Sequence, residues 1–284
     1  MELYKTKIGG IHLKREIIMH SFDGTELYVQ RNTPQNPHAA VVIVHGLGEH
    51  SGRYEYVTEK LNGYGYAVYR FDNRGHGKSG GARGYVEGAS HFVQDAHEIV
   101  KEAKRDYPEL PVFMLGHSMG GFITASYGIQ YKDMLAGQIF SGPVILELPA
   151  FDDLKKLDIK KEALTRVPNG LAHLICRSPA IVQDYKNDPY NLNEFTVKLL
   201  SAVFHNGVQE LMLQLPQYTY PCFILHGEED QIVPAHSGRY LYDHISSEDK
   251  SICVIPHLYH EILNEEKEKD EILQEIRDWI EERI

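Results

Sequence analysis

The sequence has few of the features that mark secreted or membrane proteins. Its three cysteines, Cys176, Cys222 and Cys253, are too few and odd in number for a disulfide framework. No stretch approaches the roughly 18 apolar residues that a membrane-spanning helix needs. The N-terminus also lacks the charged-then-apolar order of a signal peptide. We therefore expect a cytoplasmic protein in a reducing environment, with Cys222 and Cys253 serving as packing residues in buried strands.

Positive charge is also scarce. The 284 residues include 29 Lys and Arg against 40 Asp and Glu, a net charge of -11 at pH 7. With no basic stripe, this balance argues against a nucleic-acid partner. The 16 histidines form no H-E-x-x-H motif and the cysteines no paired C-x-x-C. We therefore expect no metal or other cofactor. From the length of the chain we expect one large domain that carries an insertion.

Short apolar runs alternate with segments of helical periodicity over most of the chain. Asp23-Gly24 separates two such runs and predicts an antiparallel hairpin. Ser90 resembles the N-cap of a helix. The alternation predicts a mostly parallel sheet with helices on both faces. The predicted strands are residues 16–19, 27–29, 39–44, 66–71, 112–115, 137–140, 222–225 and 252–255, and the predicted helices contain residues 54–61, 90–100, 121–131 and 272–280.

Residues 143–217 break this alternation. They contain no clear strand, only helical segments interrupted by prolines. We interpret them as a helical cap inserted into a core domain of residues 1–142 and 218–284. The cap has more apolar side chains than one helix face needs. They could pack on the core, line an acyl-chain tunnel or touch a lipid surface. One helical stripe comprises Val203, Phe204, Val208, Leu211 and Leu215, and Val197, Met212 and Leu213 lie off it.

The segment Gly116-His117-Ser118-Met119-Gly120 lies between a predicted buried strand and a predicted helix. A serine on this turn, with a glycine two residues to either side, is typical of the nucleophile elbow of an α/β-hydrolase. The glycines are expected because side chains there would collide with the neighbouring strand and helix. The pattern fixes only three positions, so an ordinary turn of small residues is the alternative.

A serine hydroxyl is a weak nucleophile and needs a histidine to take its proton and a carboxylate to hold that histidine. In an α/β-hydrolase the acid and then the histidine follow the serine along the chain. Asp230 follows the strand at residues 222–225, with Glu228 and Glu229 as rivals. His260 follows the strand at residues 252–255, with His257 as its rival. We expect Ser118, Asp230 and His260 to form the catalytic triad.

Acyl transfer also needs two donors for the oxyanion. The backbone N–H after the nucleophile, at Met119, supplies one. The run His45-Gly46-Leu47-Gly48 follows an early strand, and its glycines allow the backbone to turn toward the serine. We assign the second donor to the Leu47 N–H; the alternative is an ordinary strand-to-helix turn.

The sequence contains three longer motifs. They are His45-Gly46-Leu47-Gly48-Glu49-His50-Ser51-Gly52-Arg53-Tyr54, Asp72-Asn73-Arg74-Gly75-His76-Gly77-Lys78-Ser79 and Gly116-His117-Ser118-Met119-Gly120-Gly121. Together they resemble the monoacylglycerol lipase and lysophospholipase branch of the α/β-hydrolases. The resemblance covers nearly the whole chain and is weakest in the cap. It agrees with the triad and oxyanion assignments and implies that Arg74 and His76 order a loop rather than take part in chemistry.

Together these observations predict a serine hydrolase that cleaves esters with a lipid-like acyl group. Monoacylglycerol or lysophospholipid is the substrate that the resemblance implies, with transient membrane contact through the cap. The alternatives are a general carboxylesterase, a thioesterase, an acyltransferase, an aminopeptidase or a non-catalytic binding module. An aminopeptidase would need a cap carboxylate for the substrate's amine, for which Glu194 and Asp184 are candidates.

Overall fold

The computed structural model describes residues 7–9 and 12–284, with side chains described from residue 13 onward. In this part of the chain, nine strands form one sheet in the order β1-β2-β3-β5-β4-β6-β7-β10-β11, and β8 pairs with β9 apart from it. The strands are β1 (Lys7–Gly9), β2 (His12–His20), β3 (Glu26–Thr33), β4 (Ala39–Val44), β5 (Tyr66–Phe71), β6 (Val112–His117), β7 (Gly137–Ser141), β8 (Arg166–Pro168), β9 (Glu194–Thr196), β10 (Cys222–Gly227) and β11 (Lys250–Ile255).

The N-terminal strands are antiparallel and the later ones parallel. β2 and β3 form the predicted hairpin, in which Ile17 pairs with Val29, and Gly24 takes a φ of 83° in its turn. From β5 onward, all the neighbours in the main sheet are parallel. The carboxyl ends of β4, β6, β10 and β11 therefore meet at one edge, where ligand sites form in open α/β sheets. The predicted fold is confirmed.

Helices cover both faces of the sheet. On one face α2, α3 and α8 build the larger apolar core, and on the other α1 and α9 pack through residues such as Leu61, Ile276 and Trp279. Both faces of the central strands are thus buried, which explains their continuous apolar runs. The helices are α1 (Glu55–Gly63), α2 (Ser90–Asp106), α3 (Met119–Gln130), α4 (Ile159–Glu162), α5 (Pro179–Asn187), α6 (Val197–Ser201), α7 (Val208–Gln214), α8 (His236–His244) and α9 (Lys269–Glu281).

Between β7 and β10 the chain carries α4 to α7 and short 3₁₀ turns. A π-helical segment, Ala202–Gly207, joins α6 to α7. The expectation that residues 143–217 contain no strand is wrong, because β8 pairs antiparallel with β9. Each strand has three residues and β8 ends at Pro168, so neither is long enough to show an alternating pattern. The core and cap boundaries stay a prediction.

The apolar stripe of the predicted cap packs inward. Its members belong to the larger core, which favours packing over contact with a lipid surface for this stripe. Off the stripe, Val197 is buried and Leu213 is 84% exposed. Among the described residues, none of the helices is both long and apolar enough to cross a membrane. All five stripe residues are buried: Val203, Phe204, Val208, Leu211 and Leu215.

Two local predictions fail. Ser90 is the first residue of α2 rather than its N-cap; Ala89 occupies that position and makes no side-chain capping bond. Cys253 is only half-buried because β11 is the edge strand of the sheet. Cys222 is buried in β10, as predicted, and all three cysteines are free thiols.

Candidate active site

The turn between β6 and α3 holds Ser118 in a strained conformation. Its φ is 55°, a region that residues with a side chain rarely adopt. A Cβ on Gly116 would overlap the Thr124 hydroxyl and the Gly120 backbone. A Cβ on Gly120 would overlap the Val44 carbonyl. The packing around the turn therefore requires the two glycines, as expected for an elbow.

The loops after β10 and β11 bring Asp230 and His260 together. The His260 Nδ1 lies 2.6 Å from the Asp230 Oδ2, and both side chains are buried. An ionised carboxylate can only accept, so Nδ1 carries the proton and Nε2 keeps its lone pair. The other carboxylate oxygen accepts from the backbone N–H groups of Ile232 and Val233, each at 2.9 Å. These bonds hold the carboxylate toward the imidazole.

Ser118 and His260 line the same cavity. The Ser118 backbone is held by bonds from its N–H to the Ser141 carbonyl at 3.0 Å and from the Val144 N–H to its own carbonyl at 3.1 Å. Within the described part of the chain, no hydrogen bond joins the serine hydroxyl to the imidazole. Hydrogen bonds between nucleophile and base often tighten only once substrate is bound.

Opposing effects separate the pKa values of the acid and the base. Burial acts to raise the pKa of Asp230, but the charge of His260 and hydrogen bonds from His226 and His260 outweigh it and hold that pKa well below its usual range. Burial acts to lower the pKa of His260, yet the ionised carboxylate beside it raises that pKa above its usual value of 6.5. The imidazole is therefore a stronger base than a free histidine.

The two predicted oxyanion donors lie on adjacent loops. Met119 begins α3, so its N–H has no partner within the helix. Leu47 follows β4 and lines the cavity beside Ser118. The two loops are close, since a Cβ on Gly46 would lie 3.0 Å from the serine Cβ. Neither N–H donates a hydrogen bond within the described residues, which leaves both available to an oxyanion.

The rival residues lie outside this cavity. His257 is 81% exposed, and its Nδ1 lies 3.0 Å from the Glu229 Oε1. Glu229 also pairs with Arg177, and Glu228 is exposed. The rivals His257 and Glu229 therefore pair with each other at the surface, whereas Asp230 and His260 pair in the interior, where His260 and Ser118 line the same cavity. The side chains considered for an amine site are also outside the cavity lining: Glu194 and Asp184.

The lining of the cavity contains two kinds of side chain, which we call the apolar wall and the polar wall. One wall is apolar and includes the rings of Phe151 and Phe204, whose centroids lie 4.8 Å apart. The other is polar and adjoins the elbow. The apolar wall is completed by Leu148, Leu171, Ile175 and Ile232, and the polar wall contains Glu49, His117, Asn169 and Glu261.

Sequence reasoning assigned no role to the buried charges of the polar wall. The Arg53 guanidinium donates to Glu49 at 2.8 Å and bridges both oxygens of Glu261 at 2.5 and 2.8 Å. Burial acts to raise the pKa of Glu49, but Arg53 and neighbouring histidines lower it to about 2. The Glu49–Arg53 spacing in the first long motif was the available signal. Glu261 is 208 residues away from Arg53 in the sequence, so no local pattern indicated this contact.

A second histidine lies against the predicted base. The rings of His117 and His260 are 4.6 Å apart, and the His117 Nδ1 donates to the Ser141 carbonyl at 3.0 Å. Burial, and then the charge of His260, lower the pKa of His117 to about 4. His117 is therefore neutral at pH 7 and adds no charge to the site.

The second long motif orders a loop, as the resemblance implied. The Arg74 guanidinium donates to Asp95 at 2.6 Å and to Asp23 at 2.7 Å. The buried His76 donates from Nδ1 to the Arg74 carbonyl at 3.0 Å. Neither Arg74 nor His76 lines the cavity. Among the described residues, no group of three or more His, Cys, Asp or Glu is placed to hold a metal ion.

A mostly parallel sheet covered by helices on both faces, with a strained serine turn at its carboxyl edge, defines an α/β-hydrolase. The family model described as "Serine aminopeptidase, S33" matches residues 35–267, and the chain belongs to this family.

Relatives in sequence and structure carry lipase names. The chain is 34% identical over 270 residues to monoacylglycerol lipase of Mycolicibacterium smegmatis, across 92% of this chain and 96% of that protein. It is 30% identical over 268 residues to human monoglyceride lipase, across 92% and 88% of the two chains. The crystal structure of Paleococcus ferrophilus monoacylglycerol lipase matches with a TM-score of 0.82 at 30% identity, covering 91% of this chain and 100% of that one. The resemblance inferred from the motifs is confirmed.

Proposed function

We propose that the protein hydrolyses esters of lipid-like acids, with monoacylglycerol or lysophospholipid as its substrate class. The family and its lipase relatives make the chain a serine ester hydrolase. One observation carries the choice of substrate: the strained Ser118 and the buried pair of Asp230 and His260 adjoin a cavity with a broad apolar wall. Apolar side chains suit an acyl chain, and the polar side chains of the same cavity suit a small polar alcohol.

In the proposed mechanism Ser118 Oγ attacks the ester carbonyl carbon while His260 Nε2 takes the hydroxyl proton. Asp230 stabilises the resulting imidazolium, and the N–H groups of Leu47 and Met119 bind the oxyanion. One such donor contributes about 2.7–4 kcal/mol to transition-state stabilisation. When the C–O bond breaks, the alcohol leaves with the proton from the imidazolium.

The acyl-enzyme is then hydrolysed by the same groups. His260 takes a proton from water as that water attacks the acyl carbon, and the serine oxygen leaves with the proton. The oxyanion donors act again at this second tetrahedral intermediate. Neither half of the reaction requires a metal or another cofactor.

Aminopeptidase activity is the second candidate, favoured by the family's description and by two carboxylates in the polar wall. Glu49 and Glu261 share one guanidinium, that of Arg53, so the three side chains carry one net negative charge. That charge could attract a substrate's amine. Every carboxylate oxygen of Glu49 and Glu261 already accepts a hydrogen bond from a neighbouring protein group. Because none of these oxygens is left without a donor, ester hydrolysis is favoured over aminopeptidase activity.

Substrate profiling separates the two candidates. We expect hydrolysis of monoacylglycerols and of p-nitrophenyl esters with medium or long acyl chains, and little activity on aminoacyl p-nitroanilides. Ser118→Ala should lower kcat by at least about 10³-fold. Ser126→Ala, which changes a serine of α3 outside the cavity, should not. A preference for aminoacyl substrates would establish the peptidase instead, and a short-chain optimum would indicate a general esterase.

The place of action is part of the same proposal. The three free cysteines support a reducing, cytoplasmic setting. Leu164 and Leu213, both in the predicted cap, are 72% and 84% exposed and support transient contact with a lipid surface.

Cosedimentation with phosphatidylcholine vesicles tests the contact with lipid. We expect the wild-type protein to bind vesicles and the double variant Leu164→Ser, Leu213→Ser to bind them several-fold less. Circular dichroism provides the check that the variant is folded. Equal binding by the two proteins, or no binding by either, would contradict the proposed contact.

A further inference from the structure

The proposed mechanism leaves one buried titratable side chain beside the acid unused. His226 is the fifth residue of β10 and is fully buried. It pairs in register with Val254 of the neighbouring strand β11, and the loops that follow these two strands carry Asp230 and His260. Its position places it behind the carboxylate, outside the cavity lining.

The His226 Nε2 faces two acceptors. It lies 2.7 Å from the Val233 carbonyl oxygen and 3.4 Å from the Asp230 Oδ2, the oxygen that also meets His260. A carbonyl oxygen can only accept, so Nε2 must carry a proton. The N–H therefore donates to Val233 and lies next to the carboxylate as a second, longer contact.

The opposite edge of the ring has no partner. Within the described residues, the His226 Nδ1 is buried without a hydrogen bond. It packs closely against the start of α8, since a Cβ on Gly238 would lie 2.7 Å from it. A buried acceptor left unpaired is unfavourable. Within the described residues, the imidazole of His226 therefore makes its polar contacts through Nε2 alone.

These contacts fix the loop that presents the acid. The Val233 N–H donates to the Asp230 Oδ1 while the Val233 carbonyl accepts from His226. One residue thus links the carboxylate to the imidazole of His226. If the bond from His226 is lost, the Val233 carbonyl loses this donor, and the far end of the loop after β10 is held by fewer bonds.

We propose that His226 is a positioning residue, which holds Asp230 in the orientation that His260 requires by donating from Nε2 to the Val233 carbonyl. The inference rests on the proposed function, because it assumes that Asp230 orients the base. A small displacement of a group that takes part in catalysis lowers the reaction rate by a large factor.

Two replacements of His226 test the proposal. His226→Gln keeps an N–H donor at a similar reach, and His226→Leu removes it. On a monoacylglycerol substrate we expect His226→Leu to lower kcat about tenfold or more with KM within about twofold. His226→Gln should recover at least half of the lost rate on a logarithmic scale. A rate for His226→Leu equal to wild type, or equal losses in the two variants, would overturn the proposal.

A double-mutant cycle with Asp230→Asn separates positioning from a general effect on folding. If His226 acts through the acid, adding His226→Gln or His226→Leu to Asp230→Asn should change kcat little. Additive losses would contradict the proposal. Wild-type activity of Asp230→Asn alone would instead refute the proposed role of the acid. If Asp230→Asn is inactive and His226→Leu is fully active, only the role of His226 fails.

Discussion

At the scale of single residues, the proposed site depends on one buried carboxylate that stays ionised. Asp230 accepts hydrogen bonds from two backbone N–H groups and from His260, and its pKa is held low against the effect of burial. Its charge in turn raises the pKa of His260. The adjacent His117 remains neutral, because burial lowers its pKa to about 4. Of these two neighbouring histidines, one is thus basic and the other is not.

The pH dependence of activity follows from the raised pKa of His260. In the proposed mechanism His260 must be neutral to accept the serine proton, so kcat/KM should fall as the pH drops through that pKa. We expect the midpoint of this acid limb to lie above 6.5, the usual pKa of histidine. Rates measured from about pH 5 to pH 9 provide the test.

The same profile for Asp230→Asn supplies the control. The amide carries no charge, so burial then dominates and the acid limb should move to lower pH. The rate should also fall by roughly 10³- to 10⁴-fold, as in other Ser-His-Asp enzymes. An acid limb that stays in place would show that Asp230 does not set the pKa of the base.

At the scale of elements, the site is built where parallel strands end. β4, β6, β10 and β11 deliver the predicted oxyanion loop, the serine, the acid and the base to one edge of the sheet. Their loops can approach each other only because glycines permit close backbone contact. Gly120 lies against the Val44 carbonyl and Gly46 lies against Ser118.

Replacing Gly120 with alanine tests this close contact. The added Cβ would overlap the backbone of β4, so we expect the free energy of unfolding to fall by about 1–3 kcal/mol. Gly63→Ala, in the last residue of α1, is the matched control because nothing lies within 4 Å of its added Cβ. That variant should be neutral or stabilised by about 0.4–1 kcal/mol. Urea unfolding measures both, and equal stability of the two variants would contradict the packing argument.

At the scale of the whole molecule, the cavity adjoins the larger of the two apolar cores that the described residues form. That core spans the sheet face covered by α2, α3 and α8 and continues into the segment between β7 and β10. Phe204 belongs to this core and also lines the cavity. The substrate wall and the stability of the predicted cap therefore depend on the same side chains.

The sequence predicted those parts of the molecule that have a local signal. Continuous apolar runs identified the central strands, and the glycine spacing around Ser118 identified the elbow. The pairing of β8 with β9 was missed because strands of three residues, one of which ends at Pro168, show no periodicity. The Arg53–Glu261 bridge and the contact of His226 with Val233 were missed because they depend on side-chain placement after the chain has folded.

The central claim is that Ser118 is the nucleophile, and covalent labelling tests it most directly. A fluorophosphonate reacts with an activated serine, and mass spectrometry of the digested protein locates the adduct. We expect one adduct per chain, on Ser118, and none on Ser118→Ala. No adduct on the wild-type protein, or an adduct that persists in Ser118→Ala, would contradict the mechanism.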